Sequence, residues 1–214
     1  MKTLFIEARR KFKEIDFTHL NELPGKKVSL SATVQYLDLL QKIKSHLESI
    51  GKEVIIKKGA SHEGHVLGCN SSAFDKTANT LLLITDGKFH AINNAIQLNR
   101  EIYIFNTKSL EKITRDEIDK YNKKLKAKKS KFLLSDNIGI LVSTKHRQHN
   151  KSVSQIKKGI EKLGKKAYIF ESNNINTKEF ENFPTIDIWV NTACVGLTLD
   201  HKDIINIGDV LDFI

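Results

Sequence analysis

The chain contains two cysteines, Cys69 and Cys194, standing 125 positions apart. Cys69 closes a histidine-bearing run, Gly59-Ala60-Ser61-His62-Glu63-Gly64-His65-Val66-Leu67-Gly68-Cys69. Cys194 closes Asn191-Thr192-Ala193-Cys194. Two further polar runs accompany them: Thr85-Asp86-Gly87-Lys88-Phe89-His90, and Ser143-Thr144-Lys145-His146-Arg147-Gln148-His149. A pair of thiols is too few for a disulfide framework. Three chemistries remain open. The thiols could be buried hydrophobes beside solvated histidines. His62, His65, Cys69 and Cys194 could supply four zinc ligands, although their spacing matches no tight zinc signature. Thiolates are also the usual ligands of iron–sulfur clusters, but two are too few for an all-cysteine cluster.

Such residues need a scaffold, and the apolar pattern supplies one. Strands are expected at Lys27–Ser31, Val54–Ile56, Leu81–Ile84 and Ile102–Phe105. Helices are expected at Val34–Ile50, where Leu37, Leu40, Ile43, Leu47 and Ile50 recur with helical spacing, and at His90–Leu98. A second cycle gives strands at Ile138–Ser143, Ala167–Phe170, Ile186–Val190 and Ile204–Ile207, with a helix at Ser152–Leu163. Short apolar strands separated by helices read as parallel sheets covered on both faces. The expected fold class is therefore α/β: two small parallel-sheet αβα domains in tandem, each of three or four strands. A lone N-terminal strand, Leu4-Phe5-Ile6-Glu7-Ala8, precedes them. Such a strand needs a sheet or another chain to pair with. The expected organisation is 1–26 as strand and linker, 27–131 as the domain carrying Cys69, and 132–214 as the domain carrying Cys194. In α/β folds, functional groups gather beyond the C-terminal ends of strands, which is where all four polar runs are expected.

Across 214 residues, 35 basic side chains face 25 acidic ones, a formal charge of +10. Much of the excess lies between Lys108 and Lys131, where ten basic residues meet four acidic ones. This segment reads as one long helix with Ile113, Ile118, Tyr121 and Leu125 on its apolar side. Its one aromatic residue, Tyr121, falls on the apolar side and not among the lysines to stack on bases, so nucleic acid is not an expected partner. No apolar run is long enough to span a membrane, and no signal-peptide core opens the chain. A cytoplasmic location is the expectation.

An ordered series of short motifs goes further. Ser31-Ala32-Thr33-Val34-Gln35-Tyr36, Val66-Leu67-Gly68-Cys69 and Asp86-Gly87-Lys88-Phe89-His90 come first. Leu141-Val142-Ser143-Thr144-Lys145 with Gln148, then Trp189-Val190-Asn191-Thr192-Ala193-Cys194, complete it. In this order and separation they resemble the diphthamide synthase family over about residues 4–214. The resemblance implies transfer of the 3-amino-3-carboxypropyl group of S-adenosylmethionine to a histidine of translation elongation factor 2. It implies a 4Fe–4S cluster held by three cysteines, one from each of three similar α/β domains, with Cys69 and Cys194 as the second and third. It further implies a radical mechanism and places Asp86, Gly87, His90 and Gln148 as candidates for the S-adenosylmethionine pocket. The glycine before Cys69 is expected to let the chain turn tightly toward the cluster.

Residues 1–27 resemble only the end of the family's first domain. The third cysteine would then come from a first-domain polypeptide or a homologous subunit. Val195-Gly196 stand where the family has proline-arginine, and the loop from Lys145 to His149 lacks the usual glycine. The chain is thus expected to be part of a split transferase. The alternative is a degenerate, non-catalytic binding subunit.

Overall fold

The computed structural model describes residues 4, 6–146, 148, 150, 152–199 and 201–214. The chain divides into two compact units, Met1–Tyr121 and Asn122–Ile214. The division falls inside the third α-helix, ahead of position 131.

The first unit is built on a five-stranded sheet: β1 (Lys27–Ala32), β2 (Glu53–Ile55), β3 (Thr80–Ile84), β4 (Ile102–Phe105) and β5 (Leu110–Ile113), in the order β2-β1-β3-β4-β5. The first four strands run parallel, and β5 returns antiparallel to β4. That last strand corrects the single long basic helix. Asn106 accepts from the backbone N–H groups of Lys108 and Ser109, and Thr107 takes the left-handed φ of 75°. The chain therefore reverses, and Ile113 reaches the core from a strand. Helix α3 begins only at Arg115 and runs to Leu134.

Strand alternation sends Val28, Leu30, Leu82, Ile84 and Phe105 to one face of this sheet. There they meet α1 (Leu40–Ser49), which is preceded by a 3-10 helix at Val34–Leu39 where one continuous helix was expected. The other face receives Leu81, Leu83, Ile102 and Ile104, covered by α2 (Phe89–Leu98) and Ile118 of α3.

The expected lone strand does not assemble among the described N-terminal residues; Phe5 lies outside them. Leu4 and Ile6 are 82% and 85% exposed, and an extended segment becomes a strand only when a neighbour supplies hydrogen bonds. Farther along, the linker is integral to the unit. Phe12, Ile15 and Phe17 pack against the α1-side core, and Leu20 and Leu23 are buried within it.

The second unit holds a fully parallel sheet of β6 (Asn137–Ser143), β7 (Lys166–Ser172), β8 (Ile188–Asn191) and β9 (Ile204–Asn206), in the order β7-β6-β8-β9. Ile138, Ile140, Val142, Ile188, Val190 and Ile205 line one face, under Phe132 of α3 and α4 (Val153–Lys162). On the opposite face, Trp189 and Leu141 are covered by Phe170, Ile175, Phe180 and Ile186, in place of the expected second helix layer. Among the described residues, no helix is long and apolar enough to cross a membrane.

Candidate functional site

The long segment between β2 and β3 carries Cys69. It starts as an extension of the sheet, with the Ala32 N–H donating to Gly64 and the Val66 N–H to Ala32. It then crosses the α2-side face, where Val66, Ala73 and Phe74 are buried. The serines of β1 point to that face and tie the segment down. Ser31 Oγ donates to the Ala73 carbonyl, and Ser29 Oγ accepts from the Asp75 N–H. Cys69 thus stays exposed between buried anchors, well past the end of β2 rather than at a strand end.

Helix α2 grips the backbone just before the cysteine. Asn94 Nδ2 donates to the Leu67 carbonyl at 3.0 Å and to the His90 carbonyl at 2.7 Å. Gln97 Nε2 donates to the Gly68 carbonyl at 3.0 Å. The role expected of Gly68 changes accordingly. Its φ is not left-handed, so it makes no special turn. A Cβ there would meet the Phe89 ring at 3.0 Å, so its bareness permits close approach to α2.

Cys194 lies just beyond β8, exposed, and precedes a 3-10 helix at Val195–Thr198. A buried carboxamide organises this turn. Asn191 Nδ2 donates to the Cys194 carbonyl and to Asn206 Oδ1, both at 2.8 Å, while Asn191 Oδ1 accepts from the Ala193 N–H at 3.0 Å. Asn206 Nδ2 in turn donates to Thr198 Oγ1 at 2.9 Å. Beyond them, Lys128 Nζ donates to the Thr198 carbonyl at 2.6 Å.

Asp86, Gly87 and His90 come together where β3 passes into α2. Gly87 takes a φ of +68°, the left-handed conformation that glycine tolerates, with open space where a Cβ would be. Asp86 is exposed and pairs with Arg10 at 3.1 Å; Arg10 also donates to the Tyr36 hydroxyl at 2.9 Å. Burial pushes Tyr36 above its ordinary pKa, helped by Asp86. Burial also pulls His90 below the usual histidine range, with His65 contributing. Gln148 belongs to the second unit; it is exposed, and its N–H donates to the Lys145 carbonyl in the turn after β6.

His65 is 6% exposed, and its Nδ1 finds no hydrogen-bond partner. His62 reaches outward instead, to Glu7 at 2.6 Å. Among the described residues, no group of three or more histidine, cysteine or acidic side chains converges as a metal site, so the zinc alternative gains no support. Both thiols are exposed, which removes the reading of buried structural cysteines. Sequence reasoning missed Asn94, Gln97, Asn206 and Arg10 as residues that hold these loops. The available signal was a carboxamide on the core-facing side of a helix or at the end of an apolar strand.

Comparison with known proteins agrees with this arrangement of elements. Residues 1–204 match the diphthamide synthesis protein family. The chain belongs to that family. The 2-(3-amino-3-carboxypropyl)histidine synthase of Pyrococcus horikoshii is 30% identical over 182 residues, covering 82% of this chain and 52% of that protein. The synthase of Methanocaldococcus jannaschii is 28% identical over 215 residues, covering 94% and 57%. The chain therefore spans about half the length of the curated relatives it matches. The crystal structure of Dph2 from Pyrococcus horikoshii superposes with a TM-score of 0.79 at 28% identity, over 88% of this chain and 57% of that one. A second structure of that protein, containing a 4Fe–4S cluster, superposes with a TM-score of 0.77 at the same identity. Relatives in this family are thus named 2-(3-amino-3-carboxypropyl)histidine synthases, and one structure among them holds a 4Fe–4S cluster.

Proposed function

We propose that this chain is one part of a 3-amino-3-carboxypropyl transferase that modifies a histidine of translation elongation factor 2 in the first step of diphthamide synthesis. The observation that carries the reading is the placement of the only two cysteines, each exposed at the surface of its unit in a loop held by buried anchors. Exposed thiols suit soft iron–sulfur ligation better than packing. Cys69 and Cys194 would each bind one iron of a 4Fe–4S cluster; a third thiolate has to come from outside these 214 residues, from a first-domain polypeptide or a homologous subunit. When bound, a cluster there would supply the one electron, drawn from an external reductant, that reductive cleavage of S-adenosylmethionine requires.

The chain's own residues would bind and orient. Asp86, held by Arg10, offers an exposed carboxylate to a cationic ligand, and Gly87 leaves open space beside it. His90 is kept neutral by burial, so it serves as a hydrogen-bonding group rather than a charge.

The test is anaerobic reconstitution with iron, sulfide and dithionite, using labelled S-adenosylmethionine and elongation factor 2. With a first-domain polypeptide added, label transfers to the factor, and Cys69→Ala and Cys194→Ala each abolish both cluster and transfer. Val195-Gly196, in place of proline-arginine, favours the second reading of a non-catalytic binding subunit. Persistent inactivity in the presence of a verified first-domain polypeptide would select that reading.

A further inference from the structure

We infer that neutral carboxamide side chains act as positioning residues for both cysteines: Asn191 for Cys194, and Gln97 with Asn94 for Cys69. The inference rests on the reading of these thiols as cluster ligands.

The two units arrive at the same device independently. In each, side-chain amide N–H groups donate to backbone carbonyls at the cysteine or immediately before it. The orientation of Asn191 is fixed by chemistry, because its neighbours on one side are an acceptor carbonyl and Asn206 Oδ1, and on the other a donor N–H. Asn191 and Asn94 are 1% and 0% exposed, so water does not compete for these bonds. A carboxylate in either place could not donate, and an aliphatic side chain would leave buried carbonyls unpaired. A carboxamide also carries no charge at any pH, so it fixes the backbone without adding a full charge beside the thiolate. Preorganised ligands held by an outer layer of hydrogen bonds are a general requirement of metal centres.

Two measurements test this. In the metal-free chain, Asn191→Ala should speed amide exchange at Ala193 and Leu197 by about tenfold, the loss of roughly one buried hydrogen bond. Asn182→Asp, at an exposed position outside this turn, should leave that exchange unchanged. In protein reconstituted with iron, sulfide and the first-domain polypeptide, Asn191→Ala and Gln97→Glu should shift the midpoint potential and the electron paramagnetic resonance g-values. Asn182→Asp, which places the same charge at an exposed position outside both loops, should retain wild-type values. Gln97 is solvent-exposed, so Gln97→Glu keeps the fold and carries the test even if Asn191→Ala does not fold. Unaltered potential and g-values in a folded, loaded Gln97→Glu or Asn191→Ala protein would overturn the inference. A Cys194→Ala protein that loads with the wild-type spectrum would instead overturn the ligand reading beneath it.

Discussion

Gly139 on β6 lies directly opposite Trp189 on β8, with the indole over the space where a side chain at 139 would be. A Cβ there would approach Trp189 Cζ3 to 2.6 Å and Cε3 more closely still. Trp189 is itself stacked on Phe180, with centroids 4.2 Å apart, and meets Phe170 edge-on. The ring cannot retreat without disturbing both. Gly139→Ala should therefore destabilise the second unit by about 1–3 kcal/mol, the usual range for overpacking. Since Trp189 is the sole tryptophan, its fluorescence during urea unfolding reads this directly.

Leu20 tests whether the N-terminal linker belongs to the first unit's core. It is completely buried against that core. Leu20→Ala should cost about 2–5 kcal/mol, as expected for a large buried aliphatic side chain. The exposed Ile6 should tolerate the same change with little effect. Urea midpoints followed by circular dichroism distinguish the two.

Glu7 should act as an acid-labile latch. Hydrogen bonds from Arg9 and then His62 hold its carboxyl down to about 2, against an ordinary 4.5. Its contribution is therefore complete above pH 4.5 and is lost as pH falls toward 2. The protection factor of the Arg10 amide, which donates to the Gln35 carbonyl, should fall through that window in the wild type. In Glu7→Gln it should already be low at neutral pH. Because the carboxyl lies at the surface, the global unfolding midpoint should hardly move.

Histidine burial sets a second pH dependence with a different window. Burial, and then the nearby His62, lower the pKa of His65 from 6.5; burial, and then His65, do the same for His90. Both are neutral in the fold, whereas the unfolded chain takes up protons near 6.5, so stability is full above that pH and declines below it. The urea midpoint of the first unit should be lower at pH 5.5 than at pH 7.5. His65→Gln, which stays neutral, should narrow that difference.

Strand and helix positions were largely legible, because Leu81–Ile84 and Ile138–Val142 are apolar runs too short for helices and too regular for loops. What escaped was set by single turns and by tertiary partners. The charges of Leu110–Ile113 continue the basic run and so read as helix, and only the Asn106 turn reveals a hairpin. The alternation of strands and helices implies a helix on the second face of the β6–β9 sheet, whereas Phe170 of β7 together with Ile175, Phe180 and Ile186 of the following segment covers it. The cysteines stood out by rarity. The carboxamides outside the quoted motifs did not, since Asn94, Gln97 and Asn206 look like ordinary polar positions until their hydrogen-bond partners are placed.

The two sheets share one strand order, β2-β1-β3-β4 matching β7-β6-β8-β9. Matched in that way, Cys69 sits between the second and third strands of its repeat, whereas Cys194 sits between the third and fourth. Matched strand for strand, the two cysteines occupy different connections, so duplication of one half does not by itself account for the pair.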